Sequence, residues 1–207
     1  MTCDDALAGA LADDLDAAFE RLARAWEQRL YAFALRMTGR PRDAEELAEE
    51  TLTQAWRALA SYSPERRRAL CLRPWLFQIA ANLARNRARS TRRHPALSLD
   101  TLTLTSDTAG DGGLAERIAD EDPLGMPEVV VDREQRLADL AALLLTLPET
   151  QRVAVVLRHV EGLGYGAIAE AMGEPVGTVK SHASRGVARL RRALERERLI
   201  EAREVAR

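Results

Sequence analysis

Thr178, Ser181, Arg185, Arg189 and Arg192 recur at three- and four-residue steps within the stretch GTVKSHASRGVARLRRAL, Gly177 to Leu194. On a helix that spacing puts them on one face. Hydroxyls and guanidiniums presented together can hydrogen-bond phosphate oxygens and base edges, the chemistry of a helix lying in a DNA major groove. Lys180 and His182 stand beside this stripe. Val176, Val179, Ala183, Val187, Leu190 and Leu194 fall on the opposite one, and burying them turns the polar stripe outward. Upstream, YGAIAEAM gives a short helix one apolar face through Ile168, Ala171 and Met172. Gly173 permits a left-handed turn and Pro175 presets the first turn of the next helix. The arrangement predicts a helix-turn-helix.

A second basic stretch, RPWLFQIAANLARNRARSTRR, begins at Arg73. Opposite its apolar stripe of Trp75, Ile79 and Leu83 stand Gln78, Asn82, Arg85 and Arg89, with Asn86 alongside. Side-chain amides both donate and accept, so they can read base edges, while arginines neutralise phosphates. Arg85, Arg87, Arg89, Arg92 and Arg93 have no acidic residue near them in sequence. The stretch DAEELAEETLTQAWRALA is its opposite in charge. Asp43, Glu45, Glu46, Glu49 and Glu50 make an acidic face that repels DNA and suits docking of a basic protein partner.

Other chemistries find no support. The formal net charge of −2 hides local segregation of this kind. Cys3 and Cys71 are far apart, which argues against a disulfide framework or a zinc site within the chain. His94, His159 and His182 lie on separate segments with no paired carboxylate or cysteine, so no catalytic constellation, metal or cofactor is expected. The acidic N-terminus lacks the order of a signal peptide, and the most apolar run, LADLAALLLTL, is too short to span a bilayer. A soluble cytoplasmic protein is the expectation. A membrane-surface helix is disfavoured because Val and Ala make a weak wedge. A sensory repressor or response regulator would need a ligand pocket or a phospho-acceptor βα pattern.

The elements that must position these residues read as helices. Leu15, Phe19, Leu22, Trp26 and Leu30 mark an amphipathic helix that ends near Gly39, with Pro41 preventing continuation. Asp43 with Glu46 predicts a capping box for the next, with Leu47, Ala55 and Leu59 facing inward. SYSPERRRALCLR reads as a basic loop, and Pro74 as the start of the amide-bearing helix. Pro, Gly, Ser, Thr and Asp accumulate from Pro95 to about Val131, which reads as a flexible acidic linker. REQRLADLAALLLTL resumes helical pattern. Pro148 opens another helix, in which Val153, Val156, Leu157 and Val160 face inward. The fold expected is all-α in two small lobes.

In this order the segments resemble the extracytoplasmic-function sigma factors, the group IV sigma subunits of bacterial RNA polymerase, from roughly Leu15 to Leu194. DAEELAEETLTQAWRAL is similar to the helix of region 2 that docks on the polymerase clamp. RPWLFQIAANLARNRAR resembles the promoter-melting helix, and LPETQRVAVVLRHVEGLGYGAIAEAMGEPVGTVKSHASRGVARLRRAL the region 4 signature. The resemblance implies region 2 over 1–95, a linker over 96–131 and region 4 over 132–207. It implies reading of the −10 element as single strand, with a flipped base, by Trp75, Gln78, Asn82, Arg85, Asn86 and Arg89. It implies reading of the −35 element as duplex by Thr178, Lys180, Ser181, His182, Arg185, Arg189 and Arg192. Asp43, Glu46, Leu47, Glu50 and Trp56 would hold the polymerase core, and the acidic linker would thread its positively lined channels. Core polymerase, promoter DNA and an anti-sigma factor are the implied partners, and promoters of stress or envelope responses the implied targets. The loop before Pro74 lacks the family's Gly-Asp-Ser sequence. His182 stands where Arg is usual, and Gly186 where Ala is usual. A mid-helix glycine costs about 1 kcal/mol, so the second helix of the motif is expected to fray unless docked.

Overall fold

The computed structural model describes residues 3–93 and 141–205, with side chains from 6 to 89 and from 141 to 196. The linker expected over 96–131, the helical pattern before residue 141 and the side chains of Arg92 and Arg93 lie outside the described residues. Those described are helical, with no strand among them.

The N-terminal lobe holds α1 (Cys3–Asp13), α2 (Leu15–Thr38), α3 (Pro41–Ser61), α4 (Pro64–Arg68) and α5 (Leu72–Arg93). Asp14 caps α2 by accepting from the Ala17 N–H at 3.2 Å. Gly39 ends it in the left-handed region at φ 73°, where a side chain would be strained. α3 then starts at once, because Pro41 needs no N–H partner in a first turn. This corrects the expected capping box. Arg40 is the flanking residue and makes no side-chain cap, while Asp43 already lies inside the first turn.

Leu22, Trp26, Leu30 and Phe33 of α2 meet Leu47, Ala55 and Leu59 of α3 and Leu72, Leu76 and Phe77 of α5 in one core. Phe77 is its hub: Trp26 stands edge-on to it at 6.0 Å and Phe33 lies 5.4 Å away. α1, which the acidic N-terminal sequence concealed, adds Leu7 and Leu11. The basic loop holds α4, capped by Ser63. Its arginines staple the lobe: Arg67 donates to the Leu59 carbonyl at 2.8 Å, Arg68 pairs with Asp13 at 2.5 Å, and Arg66 stacks on Tyr62.

Helical residues 141–145 lead towards α6 (Glu149–Val155), which runs on as a π-helical turn (Val156–Val160). α7 (Tyr165–Met172) and α8 (Val176–Val205) follow. Gly173, at φ 64°, makes the left-handed turn between them, and Val179 and Ala183 carry α8 onto the rest of the lobe. The two lobes pack together, with α5 against α7 as the main contact.

Candidate nucleic-acid interface

On α8, Thr178, Lys180, Arg185, Arg189 and Arg192 are exposed, while Val179, Ala183 and Gly186 face inward. The guanidiniums therefore stand in solvent, spaced to meet phosphates or base edges. Ser181 is half-buried and spends its hydroxyl on the Gly177 carbonyl at 3.0 Å. His182 is turned towards the motif's own turn, with Nε2 3.2 Å from Glu174. Val176 and Leu194, at the two ends of the expected apolar stripe, are exposed. Lys180 lies over the Tyr165 ring at 5.6 Å, and Arg158 over the same ring at 4.7 Å. Tyr165 thus ties the start of α7 to a cation of the presented face, a link that sequence spacing did not reveal.

Gly186 has a packing reason. A Cβ there would lie 2.5 Å from Val155 Cγ2 and 3.3 Å from the Gln151 carbonyl oxygen of α6. The absence of a side chain lets α8 approach α6 closely, so the glycine serves contact rather than fraying.

α5 begins at Leu72, two residues before the expected start. Its buried positions are Leu72, Leu76, Phe77, Ala80, Ala81, Leu83 and Ala84, while Trp75 and Ile79 are only half-buried. The expected stripe was rotated because α5 packs on two sides, towards α2 and α3 and towards α7. Of the amide-bearing face, Asn82, Asn86 and Arg89 are exposed. Gln78 donates to the Glu170 carbonyl at 3.2 Å. Arg85 donates to the Met172 carbonyl at 2.5 Å and the Ala171 carbonyl at 3.3 Å, and also to Asn82 Oδ1. Burial lowers the Arg85 pKa, neighbouring Arg89 adds to that, and Glu174 and Glu149 oppose it.

The acidic face of α3 is partly spent inside the lobe. Arg87 of α5 pairs with Glu50 at 2.8 Å and with Glu46 at 3.6 Å, and donates to the Asp43 carbonyl. Leu47 is fully buried, at 0% exposure, so it fastens α3 to the core and offers nothing to a partner. Trp56 is 38% exposed, packs beside Phe19 at 6.1 Å and lines a shallow cleft of about 430 Å³ with Thr53, Arg57 and Ala60.

The π-helical turn produces the least expected feature. A π turn advances one residue further per turn than an α-helix, and the Glu161 N–H reaches the Val156 carbonyl five residues back at 2.9 Å. Val160, expected inside, is 44% exposed, and Glu161 is 6% exposed. Its carboxylate lies 3.8 Å from Arg29 of α2, and its carbonyl accepts from Arg73 of α5. Burial pushes the Glu161 carboxyl above the ordinary carboxylate range, against the pull of Arg29, Arg36 and Arg73. Burial likewise lowers Arg36, with Glu161 opposing.

A helix-turn-helix with its cationic stripe exposed, joined to a helical lobe carrying an amide-rich basic helix and an acidic one, defines a DNA-binding transcription factor. The chain matches the family descriptions "Sigma-70 region 2" over residues 22–94 and "Sigma-70, region 4" over residues 137–190. It is 30% identical to the RNA polymerase sigma-H factor of Pseudomonas aeruginosa, over 86% of this chain and 86% of that one. It is 33% identical to the ECF RNA polymerase sigma factor SigE of Mycolicibacterium smegmatis, over 84% of this chain and 60% of that longer protein. Among solved structures, the sigma factor RpoE bound to the anti-sigma factor NepR from Bartonella quintana aligns with a TM-score of 0.60 at 25% identity, covering 86% of this chain and 96% of that one. CnrH in complex with the cytosolic domain of CnrY aligns with the same TM-score at 23% identity, over 94% and 98%, and supports the fold alone. The chain belongs to the extracytoplasmic-function sigma factors, the promoter-specific initiation factors of bacterial RNA polymerase.

Proposed function

We propose that the chain directs core RNA polymerase to a subset of promoters by reading two elements with two helices. α8 reads the −35 duplex through Arg185 and Arg189, with Thr178 and Lys180 beside them and Arg192 on phosphates. α5 reads the −10 single strand through Asn82 and Asn86, with Arg85, Arg89, Gln78 and Trp75 supporting. The observation that carries this is the outward stripe of exposed Thr178, Lys180, Arg185, Arg189 and Arg192 above buried Val179 and Ala183. Ser181 and His182 have smaller parts, since each already serves a partner within the motif.

Polymerase docking falls to α3, through Trp56, Asp43, Glu46 and Glu50. An acidic face on a DNA-directed lobe suits a basic protein partner and repels nucleic acid. Region 2 over 1–95, a linker over 96–131 and region 4 over 132–207 divide these tasks. The chain supplies recognition, and the chemistry of RNA synthesis belongs to the polymerase. It works in the cytoplasm, where polymerase and chromosome are, and no helix among the described residues is long and apolar enough to cross a membrane. An anti-sigma factor is its further partner, a reading supported by the aligned RpoE, which is in complex with the anti-sigma factor NepR.

The test is transcription in vitro with core polymerase and a genomic promoter library. Enrichment of one promoter class with a shared −35 and −10 pair is the expected result, and polymerase start sites that do not depend on the chain would refute it.

A further inference from the structure

The chain carries 30 lysines and arginines, and Lys180 is the single lysine among them. It stands exposed at the start of α8, beside the cationic stripe. An ammonium on a four-carbon stem is a compact charge with wide rotamer freedom, which binding must remove. No carboxylate among the described residues pairs with it. Its neighbour is a ring instead: Nζ lies 5.6 Å from the centroid of Tyr165, within the range of a cation–ring attraction.

Tyr165 is itself well held. It opens α7, whose Ile168, Ala171 and Met172 are buried, and it packs half-buried against the core. A second cation secures it. Arg158 of the π-helical turn lies over the same ring at 4.7 Å and donates through Nη1 to the carbonyl of buried Leu163 at 2.9 Å. The three residues form a row of falling constraint. A guanidinium is tied to the backbone, a ring is fixed by packing, and an exposed ammonium rests on that ring. Two like charges near one ring repel each other, so the row favours an anion at its open end, where Lys180 stands.

We infer that Tyr165 is a positioning residue for −35 recognition: it makes no contact with DNA itself, and its ring keeps the Lys180 ammonium where α8 meets phosphate. The inference rests on the assignment of α8 to the −35 duplex made above. A lysine already held on a ring has less freedom left to lose on binding than one free in solvent. The ring draws the ammonium through its quadrupole and leaves the N–H donors to phosphate oxygens, which are the stronger acceptors.

The test uses the full chain. Because Lys180 is the single lysine, reductive methylation with isotope-labelled formaldehyde marks its ammonium and the amino terminus alone, and keeps the charge. In the unaltered chain the Lys180 methyl signal should lie upfield of its place in the denatured chain, displaced by the ring current. It should stay upfield when a mixed-sequence DNA duplex is added. Tyr165→Phe should keep the displacement, and Tyr165→Leu should abolish it.

Fluorescence anisotropy of the same duplex with unlabelled protein, at several salt concentrations, reads affinity. Tyr165→Leu should bind roughly two- to ten-fold more weakly, the ordering cost of one flexible side chain. Its salt slope should be unchanged, because no charge is lost. Lys180→Ala should weaken binding and reduce the slope by about one unit. Adding Tyr165→Leu to Lys180→Ala should cost nothing further. Circular dichroism checks the helix content of each variant.

A Lys180 signal at its denatured-chain place in the unaltered protein overturns the positioning role, and this measurement needs no substitution that could unfold the lobe. Tyr165→Phe binding as weakly as Tyr165→Leu also overturns it, since the hydroxyl would then be a DNA contact. So do losses from Tyr165→Leu and Lys180→Ala that add, which would make the ring a support of the lobe, and a Tyr165→Leu chain that binds as tightly as the unaltered one. Lys180→Ala binding like the unaltered chain would instead remove Lys180 from the DNA face, and the positioning role with it.

Discussion

Gly186 of α8 sits against Val155 of α6 at a distance that admits no side chain: a Cβ would lie 2.5 Å from Val155 Cγ2. Helix propensity favours alanine over glycine by about 1 kcal/mol in an exposed helix interior. Overpacking a close helix pair costs about 1–3 kcal/mol, so the contact outweighs the propensity. Gly186→Ala is expected to lower the melting temperature, and Val155→Ala in the same chain to recover part of it. A melting temperature raised by Gly186→Ala alone would contradict this account of the glycine.

Arg185 and Arg192 should differ in kind. Arg185 stands mid-stripe and exposed, the place from which a major-groove helix would reach base edges, while Arg192 stands exposed two turns on, where phosphates would be its proposed partners. Arg185→Ala should lose about 1–3 kcal/mol of binding and relax preference at one or two −35 positions. Arg192→Ala should weaken all sequences alike and reduce the salt slope by about one unit. Titration of a −35 panel at several salt concentrations separates the two. Unaltered preference after Arg185→Ala would move base reading towards Lys180.

Glu46 and Glu50 serve two partners if α3 docks on the polymerase. Reversing both charges should weaken core binding. It should also lower stability by about 1 kcal/mol, because Arg87 loses both carboxylates. Adding Arg87→Glu should return the melting temperature towards that of the unaltered chain and leave core affinity low. Core affinity that never changes in this series would end the docking assignment.

Glu161 gives the fold a pH dependence of definite sign. Burial raises its carboxyl pKa above the ordinary range, so the folded chain holds a proton there that the unfolded chain has already released. Its contribution to stability is therefore present at the acid end and is lost as pH rises through that window. Melting temperatures of the unaltered chain and of Glu161→Gln, compared from about pH 4 to about pH 7, should show the unaltered chain losing ground to the variant on the way up. A difference independent of pH would show that the carboxyl titrates alike in both states.

The single-element patterns were legible in sequence. The α2 stripe, its end at Gly39 and the turn at Gly173 follow from apolar spacing and from the residue type that adopts a positive φ most readily. What could not be read depended on a second partner. Trp75 and Ile79 looked like the buried stripe of α5, but a helix packed on two sides buries a wider arc, centred here on Leu76, Phe77 and Ala80. Val160 and Glu161 exchange places because a π turn inserts a residue into the α period, and no residue in VLRHVEG announces it. Arg85 and Arg87 had the composition of a nucleic-acid surface, and Arg66, Arg67 and Arg68 read as a basic loop. In the fold they serve a ring, carbonyls and carboxylates as well, since guanidinium accepts all these partners and sequence does not choose among them.

Arg85 answers to two demands at once. Its guanidinium finishes a helix in one lobe, and its backbone belongs to α5 of the other, the helix proposed to read the −10 strand. A shorter or uncharged residue there would alter promoter preference and lobe association in the same step, and lysine would lose the two-pronged hold on adjacent carbonyls. On that assignment, promoter choice at this position is tied to the contact between the lobes. A substitution of Arg85 that adapted the chain to a new −10 sequence would also remove the bonds to the Met172 and Ala171 carbonyls of the other lobe.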